Sequence, residues 1–254
     1  MPSTTPVNRY GSIAAEIYDI DKPFGALDDT AFHLERLQGV EGPILEPACG
    51  SGRTLIPLLQ AGHTAAGFDL SEDMLARCRA RCQAAGFSPE LKRASFEDFA
   101  YDRSFAAILV PVGSFGLIDD FARSSAVLDR FRACLAPGGL LILDVQPVSN
   151  LAARGEDLRS WTAASGDLLT VDGKTTRRDW LGQRLERRVV YERWREGTLI
   201  ESQIEPMALR YWGVEEMRLL LAARGFAEIG VSGGYERRAP RDGDAMITFE
   251  AVRA

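Results

Sequence analysis

The stretch Leu45-Glu46-Pro47-Ala48-Cys49-Gly50-Ser51-Gly52-Arg53-Thr54 is where residue types and spacing point most directly to chemistry. A glycine pair at a strand-to-helix turn lets a ligand approach backbone that side chains would otherwise block. The helix beyond it offers free N–H groups to a carboxylate or phosphate. Glu46, just before the turn, is a poor neighbour for a phosphate and a suitable one for an ammonium group. Asp69 closes the next apolar run, Thr64-Ala65-Ala66-Gly67-Phe68. A carboxylate there can accept both ribose hydroxyls of a nucleoside. The competing reading of Asp69 is a helix cap, a role that Ser71 can take instead.

Other ligand chemistries fit less well. A dinucleotide turn needs a third glycine where this chain has Leu55, which argues against NAD or FAD. No G-x-x-x-x-G-K-[ST] phosphate loop is present. The cysteines are Cys49, Cys78, Cys82 and Cys134, and Cys78 and Cys82 share a helix face. With only His33 and His63 to add, they make a poor zinc site, so no metal is expected. They read as reduced core thiols, and both histidines read as surface residues outside the pocket.

The elements that must position these residues follow from alternation of short apolar runs with helical patterns. Strands are expected at Pro43-Ile44-Leu45-Glu46, over 64–69, weakly around Leu91, over 105–110 and at Leu140-Leu141-Ile142-Leu143. Helices are expected over 53–61 and 72–85, the second capped by Ser71 with Asp73 in its first turn. Such alternation is the mark of a doubly wound, mostly parallel α/β sheet. The texture changes over 151–212, where period-two stretches such as Arg188-Val189-Val190-Tyr191-Glu192-Arg193-Trp194 predict an antiparallel β insertion. Asp172-Gly173 and Glu196-Gly197 stand where its hairpin turns fall. A helix over 214–224, a strand over 226–231 and a last strand over 245–249 resume the first pattern. Short helices over 10–18 and 30–37 would lie over the carboxyl ends of the strands, where open α/β sheets bind ligands.

With these motifs in order, the chain resembles the class I S-adenosylmethionine-dependent methyltransferases. Glu46-Pro47-Ala48-Cys49-Gly50-Ser51-Gly52 matches their first motif, and Gly67-Phe68-Asp69-Leu70-Ser71-Glu72-Asp73-Met74-Leu75 their acidic second. Leu135-Ala136-Pro137-Gly138-Gly139-Leu140 looks like their turn into the fifth strand, and Arg224-Gly225-Phe226 like the turn before the sixth. Arg9-Tyr10-Gly11-Ser12-Ile13-Ala14 and Tyr18-Asp19 are similar to the opening of small-molecule members such as the sugar-amine and glycine N-methyltransferases. The resemblance implies a Rossmann-like seven-stranded sheet, with the antiparallel insertion placed before the sixth strand. The cofactor-binding domain would be 1–150 and 213–254, with an N-terminal helical cap over 1–40. The insertion, 151–212, would serve as a lid on the acceptor, a homodimer interface, or both.

The resemblance also assigns roles. S-adenosylmethionine would lie with its methionine part along Ala48, Gly50, Ser51 and Gly52, its ammonium near Glu46 and its ribose on Asp69. Leu70 and Met74 would pack on the adenine, and Tyr18 and Val110 would complete the cofactor site. The family usually has an acidic residue after the third strand to accept the adenine amine. Ser95 stands there, followed by Phe96, so that contact would come from Glu97 or Asp98. Phe96 serves the adenine or ordinary core packing equally well. The reaction would be in-line methyl transfer to a small-molecule nitrogen or oxygen acceptor, driven largely by alignment. No general base announces itself. Pro111-Val112-Gly113-Ser114-Phe115 lacks the signatures of nucleobase-amine and cytosine-carbon methylation. Tyr10, Tyr18, Ser114 and Tyr211 are the candidates for the acceptor pocket, against the alternative that the tyrosines only bury ring area. A non-catalytic binding protein on the same fold, and a Rossmann-type oxidoreductase, are the competing functions.

Bulk properties narrow the partners. Net charge is −6, so binding of naked nucleic acid is not expected. A basic stretch over 174–195 is interleaved with Asp179, Glu186 and Glu192 and reads as a solvated strand surface. No apolar run approaches the ~18 residues of a membrane helix, and Met1-Pro2-Ser3-Thr4-Thr5-Pro6 has no secretory character. A cytoplasmic enzyme with no membrane partner is expected.

Overall fold

A computed structural model describes residues 8–23, 29–153 and 155–254. The Met1–Pro6 opening lies outside the described residues. Two sheets form, one of seven strands and one of four. The larger has β1 (Ile44–Pro47), β2 (Ala65–Asp69), β3 (Glu90–Arg93), β4 (Phe105–Val110), β5 (Leu135–Val145), β10 (Phe226–Gly233) and β11 (Ile247–Arg253). Their order is β10-β11-β5-β4-β1-β2-β3, and β11 runs antiparallel to both of its neighbours. The remaining neighbours pair in parallel.

Period-two alternation along the central strands builds two cores. Leu45, Ile108, Val110, Leu141 and Leu143 point to one face, where they meet Val127, Leu128 and Phe131 of α5 (Phe121–Cys134) and Met217 and Leu221 of α6 (Val214–Ala223). Ile44, Ala107, Leu109 and Ile142 point to the other. There they meet Leu55, Ile56 and Leu58 of α3 (Leu55–Gln60), and Cys78 and Cys82 of α4 (Glu72–Ala84). Burial on both faces explains why these strands read as unbroken apolar runs. The thiols Cys49, Cys78, Cys82 and Cys134 are free, and the first three are buried. Ser71 caps α4, its hydroxyl accepting the Met74 N–H at 3.2 Å.

The second sheet is an antiparallel meander of β6 (Glu156–Thr162), β7 (Leu168–Asp179), β8 (Arg184–Arg195) and β9 (Thr198–Arg210). Glu196 and Gly197 form its last turn with φ of 47° and 79°, the two-residue hairpin that a doubly left-handed pair favours. Asp172-Gly173 is not a turn. Both residues lie inside β7, and the β7–β8 turn falls after Asp179, whose side chain accepts the Gly182 N–H at 2.9 Å. The local turn signal is overridden because Gly173 makes room for the side chains of Asp157 and Arg187.

The N-terminal helix α1 (Ser12–Asp21) packs Ile13, Ala14 and Ile17 against Leu169, Val171, Val189 and Tyr191, on the inner face of the second sheet. Asp19 pairs with Arg77 and Arg81 of α4 at 3.0 and 2.7 Å, so α1 bridges the two sheets. The tryptophans divide. Trp212 is wholly buried in the main core, whereas Trp180 is 59% exposed on the β7–β8 turn. Among the described residues no helix is long and apolar enough to cross a membrane.

Candidate active site

Two cavities open where the carboxyl ends of β1, β2 and β4 face α1. The first encloses about 900 Å³ including its open mouth. It is lined by Tyr10, Tyr18, Ala48, Gly50, Asp69, Leu70, Met74, Ser95, Phe96, Glu97 and Ser114, together with Asn8, Leu117, Asp119 and Arg123.

The turn after β1 explains why this wall is open. Ala48, Gly50 and Gly52 adopt φ of 52°, 55° and 87°. A Cβ on Gly50 would meet nothing within 4 Å, so that backbone is bare toward the cavity. Gly52 is different: a Cβ there would lie 2.8 Å from Cys78 Sγ, and the glycine serves packing against α4. Ser51 is buried too, accepting a bond from Arg81 Nη1 at 3.0 Å. Neither Ser51 nor Gly52 lines the cavity, contrary to the sequence expectation. Val110 also departs from it, being wholly buried in the core beneath.

Asp69 accepts two backbone N–H groups, from Gly50 onto Oδ2 at 2.9 Å and from Ser71 onto Oδ1 at 2.8 Å. Burial raises its pKa, and these bonds oppose the rise. A carboxylate oxygen takes two hydrogen bonds, so each oxygen keeps acceptor capacity for a hydroxyl.

Glu46 sits behind the wall rather than on it. It is 2% exposed, and its Oε2 has no hydrogen-bond partner among the described residues. Burial pushes its carboxyl well above the usual range, nearby Cys78 adds to this, and Arg53 opposes it. Arg53 is a residue behind this wall that the sequence reading did not single out. It forms a buried bidentate pair with Asp29, at 2.9 and 2.6 Å, and lies against Tyr18. Asp29 opens α2 (Asp29–Arg36). An arginine directly after the glycine turn was the available signal.

After β3, exposed Asp98 bonds back to its own turn, its Oδ1 accepting Ser95 N–H at 2.6 Å and Ser95 Oγ at 2.8 Å. It does not reach the cavity; Glu97 does, paired with Arg123. Phe96 lines the cavity and also packs in the core, meeting Phe68 and Phe131 edge-on at 5.9 and 6.2 Å.

The second cavity adjoins the first at Tyr10, Tyr18, Ser114 and Leu117, which line both. Its other walls come from α1, from Val112, Gly113, Gln146 and Met246, and from the inner face of the second sheet. Burial raises the Tyr18 pKa, and Arg53 opposes the rise. Tyr18 therefore stays neutral near pH 7. Tyr211 lines neither cavity. It is wholly buried with Leu151, Leu185 and Leu209, where its ring anchors the end of the second sheet.

The loop between the cavities is held from below. Asp144, wholly buried, accepts Val112 N–H at 2.8 Å, Thr248 Oγ1 at 2.6 Å and Tyr235 OH at 3.1 Å. His33 Nε2 lies 3.1 Å from its Oδ2. His33 is thus a core residue rather than a surface one, because only a charged or strongly donating partner makes buried Asp144 tolerable. Burial alone would raise the Asp144 pKa, yet His33 and the other bonds hold it below the usual value. Val112 is β-branched and has a φ of 55°, a conformation that needs such enforcement. His63 is half-buried at the opposite end of the sheet, beside the start of β2.

Known proteins are similar to this chain in sequence over part of its length and in fold over most of it. Residues 44–139 match the methyltransferase domain family. Over those residues the chain is similar to methyltransferase domains. The chain is 30% identical over 145 residues to dTDP-3-amino-3,6-dideoxy-alpha-D-glucopyranose N,N-dimethyltransferase of Streptomyces fradiae. That alignment spans 55% of this chain and 55% of the relative. It is 28% identical to dTDP-3-amino-3,4,6-trideoxy-alpha-D-glucopyranose N,N-dimethyltransferase of Streptomyces venezuelae, over 65% of this chain and 67% of that one. The fold extends further than the sequence likeness. The CcbJ methyltransferase of Streptomyces caelestis superposes over 98% of this chain and 100% of its own, at 20% identity and a TM-score of 0.78.

Proposed function

We propose that the protein methylates the amine of a small amino-sugar-like acceptor, with S-adenosylmethionine in the first cavity and the acceptor in the second. The carrying observation is that two cavities meet at Tyr10, Tyr18, Ser114 and Leu117, one against Gly50 and Asp69 and the other under the second sheet. The likeness to two sugar N,N-dimethyltransferases supports nitrogen over oxygen.

The residues present fit S-adenosylmethionine. The bare backbone at Gly50, the remaining acceptor capacity of Asp69 and the orphaned Glu46 Oε2 match a carboxylate, a ribose and an ammonium. When bound, the cofactor supplies an electrophilic methyl carbon on a sulfonium. Asp69 would hold the ribose, Leu70 and Met74 the adenine, and Ser95 and the Glu97–Arg123 pair its outer edge. Tyr18 and Ser114 stand at the junction through which the methyl passes. Their work is to align the acceptor and exclude water, which can contribute ~7–11 kcal/mol. The Ser114 hydroxyl is engaged with Pro111 O at 2.9 Å, and burial keeps Tyr18 neutral. Both suit hydrogen bonding to a neutral amine better than proton removal. The inner face of the second sheet walls the acceptor cavity, which supports the lid use of the insertion.

The test is methyl turnover from S-adenosylmethionine on a panel of nucleotide-linked amino sugars and their hydroxy counterparts. Dimethylamino product supports the reading, and turnover confined to hydroxy sugars, or none with any acceptor despite cofactor binding, contradicts it.

A further inference from the structure

Gly173 stands in the middle of β7, where a strand gains nothing from a glycine. Its missing side chain is replaced by an ion pair: a Cβ there would overlap Asp157 Oδ1 and Arg187 Nη2, which bond to each other across it. Both side chains line the second cavity. The sheet is therefore built to hold a guanidinium over Gly173 at the cavity wall.

Arg187 is under-satisfied there. Its side chain is 6% exposed, and its Nε is buried without a hydrogen-bond partner among the described residues. A guanidinium carries five N–H donors, and leaving them unpaired away from water is costly. An oxygen anion entering the cavity would pair with the part of the guanidinium that lines it. Arg159, on the same wall, bonds Asp21 at 2.7 Å and lies 3.7 Å from Asp157.

The two cavities also differ in sign. The first is lined by Asp69, Glu97 and Asp119 against Arg123 alone. The second has Lys22, Arg159 and Arg187 against Asp21 and Asp157. A cationic cofactor suits the former, and the excess positive charge of the latter calls for an anion.

We infer that Arg187, laid over Gly173 by Asp157 and flanked by Arg159, binds an anionic oxygen group of the methyl acceptor, a phosphate or a carboxylate. The inference rests on the acceptor occupying the second cavity. It separates the acceptor's two ends, the reacting amine at Tyr18 and Ser114 and the anion on the sheet floor. It also accounts for the basic residue in the 174–195 stretch that is not on the surface.

The test is calorimetric titration of the full chain, saturated with S-adenosylhomocysteine, by inorganic pyrophosphate and separately by malonate. At least one anion is expected to bind, and Arg187→Met is expected to weaken it about tenfold or more. Gly173→Ala is expected to weaken it as well, because the new methyl displaces the pair. Arg187→Lys keeps the charge without the fork and is expected to fall between, giving a second reading if Arg187→Met does not fold. S-adenosylhomocysteine affinity should stay unchanged across the variants. Binding of pyrophosphate alone assigns a phosphate, and binding of malonate alone a carboxylate. Failure of both anions, or binding that Arg187→Met leaves intact, overturns the inference. Failure of the wild-type chain to bind S-adenosylhomocysteine overturns instead the reading beneath it.

Discussion

The backbone N–H of Gly50 donates to Asp69 Oδ2 at 2.9 Å, tying the glycine turn after β1 to the end of β2. One carboxylate thereby shapes the turn and keeps acceptor capacity toward the cavity. Asp69→Asn retains the size but turns one acceptor into a donor facing an N–H. Loss of a charge-assisted bond of ~1.5–3 kcal/mol should weaken S-adenosylhomocysteine binding by about ten- to a hundredfold. Isothermal titration measures this, and unchanged affinity would remove Asp69 from the site.

The paired glycines separate binding from folding. At Gly50 an alanine meets no atom and bears only the left-handed backbone cost, ~1–2 kcal/mol. Its methyl, however, covers backbone that the ligand must approach. At Gly52 an alanine also collides with Cys78 Sγ. Gly50→Ala should therefore lose more affinity than stability, and Gly52→Ala more stability than affinity. Denaturant unfolding and calorimetry on both variants check the pair.

Glu46 links proton binding to the ligand. Burial raises its folded-state pKa well above the usual value, so the free protein holds a proton there that the unfolded chain releases. Its contribution to stability is complete below the unfolded pKa, ~4.3. It is lost as pH rises through the raised folded value. Glu46→Gln should flatten that decline, read from urea midpoints across pH. A cofactor ammonium favours the ionised form, so wild-type binding should release a proton below the raised pKa. Calorimetry in buffers of different ionisation enthalpy detects this, and Glu46→Gln should abolish it.

Asp144 holds the loop between the cavities from inside the core. Asp144→Ala strands His33, Tyr235, Thr248 and the Val112 N–H together, and a loss of ~3–5 kcal/mol is expected. Tyr235→Phe removes one bond and should cost ~1 kcal/mol. Chemical unfolding of the two variants checks the ratio.

Where the sequence was informative, local chemistry and long-range packing agreed. The runs at Ile44, Ala65, Phe105 and Leu140 became strands because both faces needed apolar cover. Ser71 capped its helix as its position suggested. Of the cavity residues, Gly50, Asp69, Leu70, Met74, Ser95 and Phe96 were legible because a motif fixes their place in the turn or strand end. What escaped was decided by partners distant in the chain. Gly173 reads as a turn until Asp157 and Arg187 are seen above it. His33 reads as exposed until Asp144, 111 residues away, is placed beside it. Tyr211 and Tyr18 are alike in sequence, and only the packing of the second sheet sends one into a core and the other to the cavities.

The central claim is that an aminoacyl nucleoside fills the first cavity with its sulfur at the opening to the second. A crystal structure with S-adenosylhomocysteine tests it directly. The account predicts the ribose on Asp69, the amino acid end along Gly50 toward Glu46, and the sulfur beside Tyr18 and Ser114. Ligand density elsewhere, or a sulfur turned away from Tyr18 and Ser114, would contradict it.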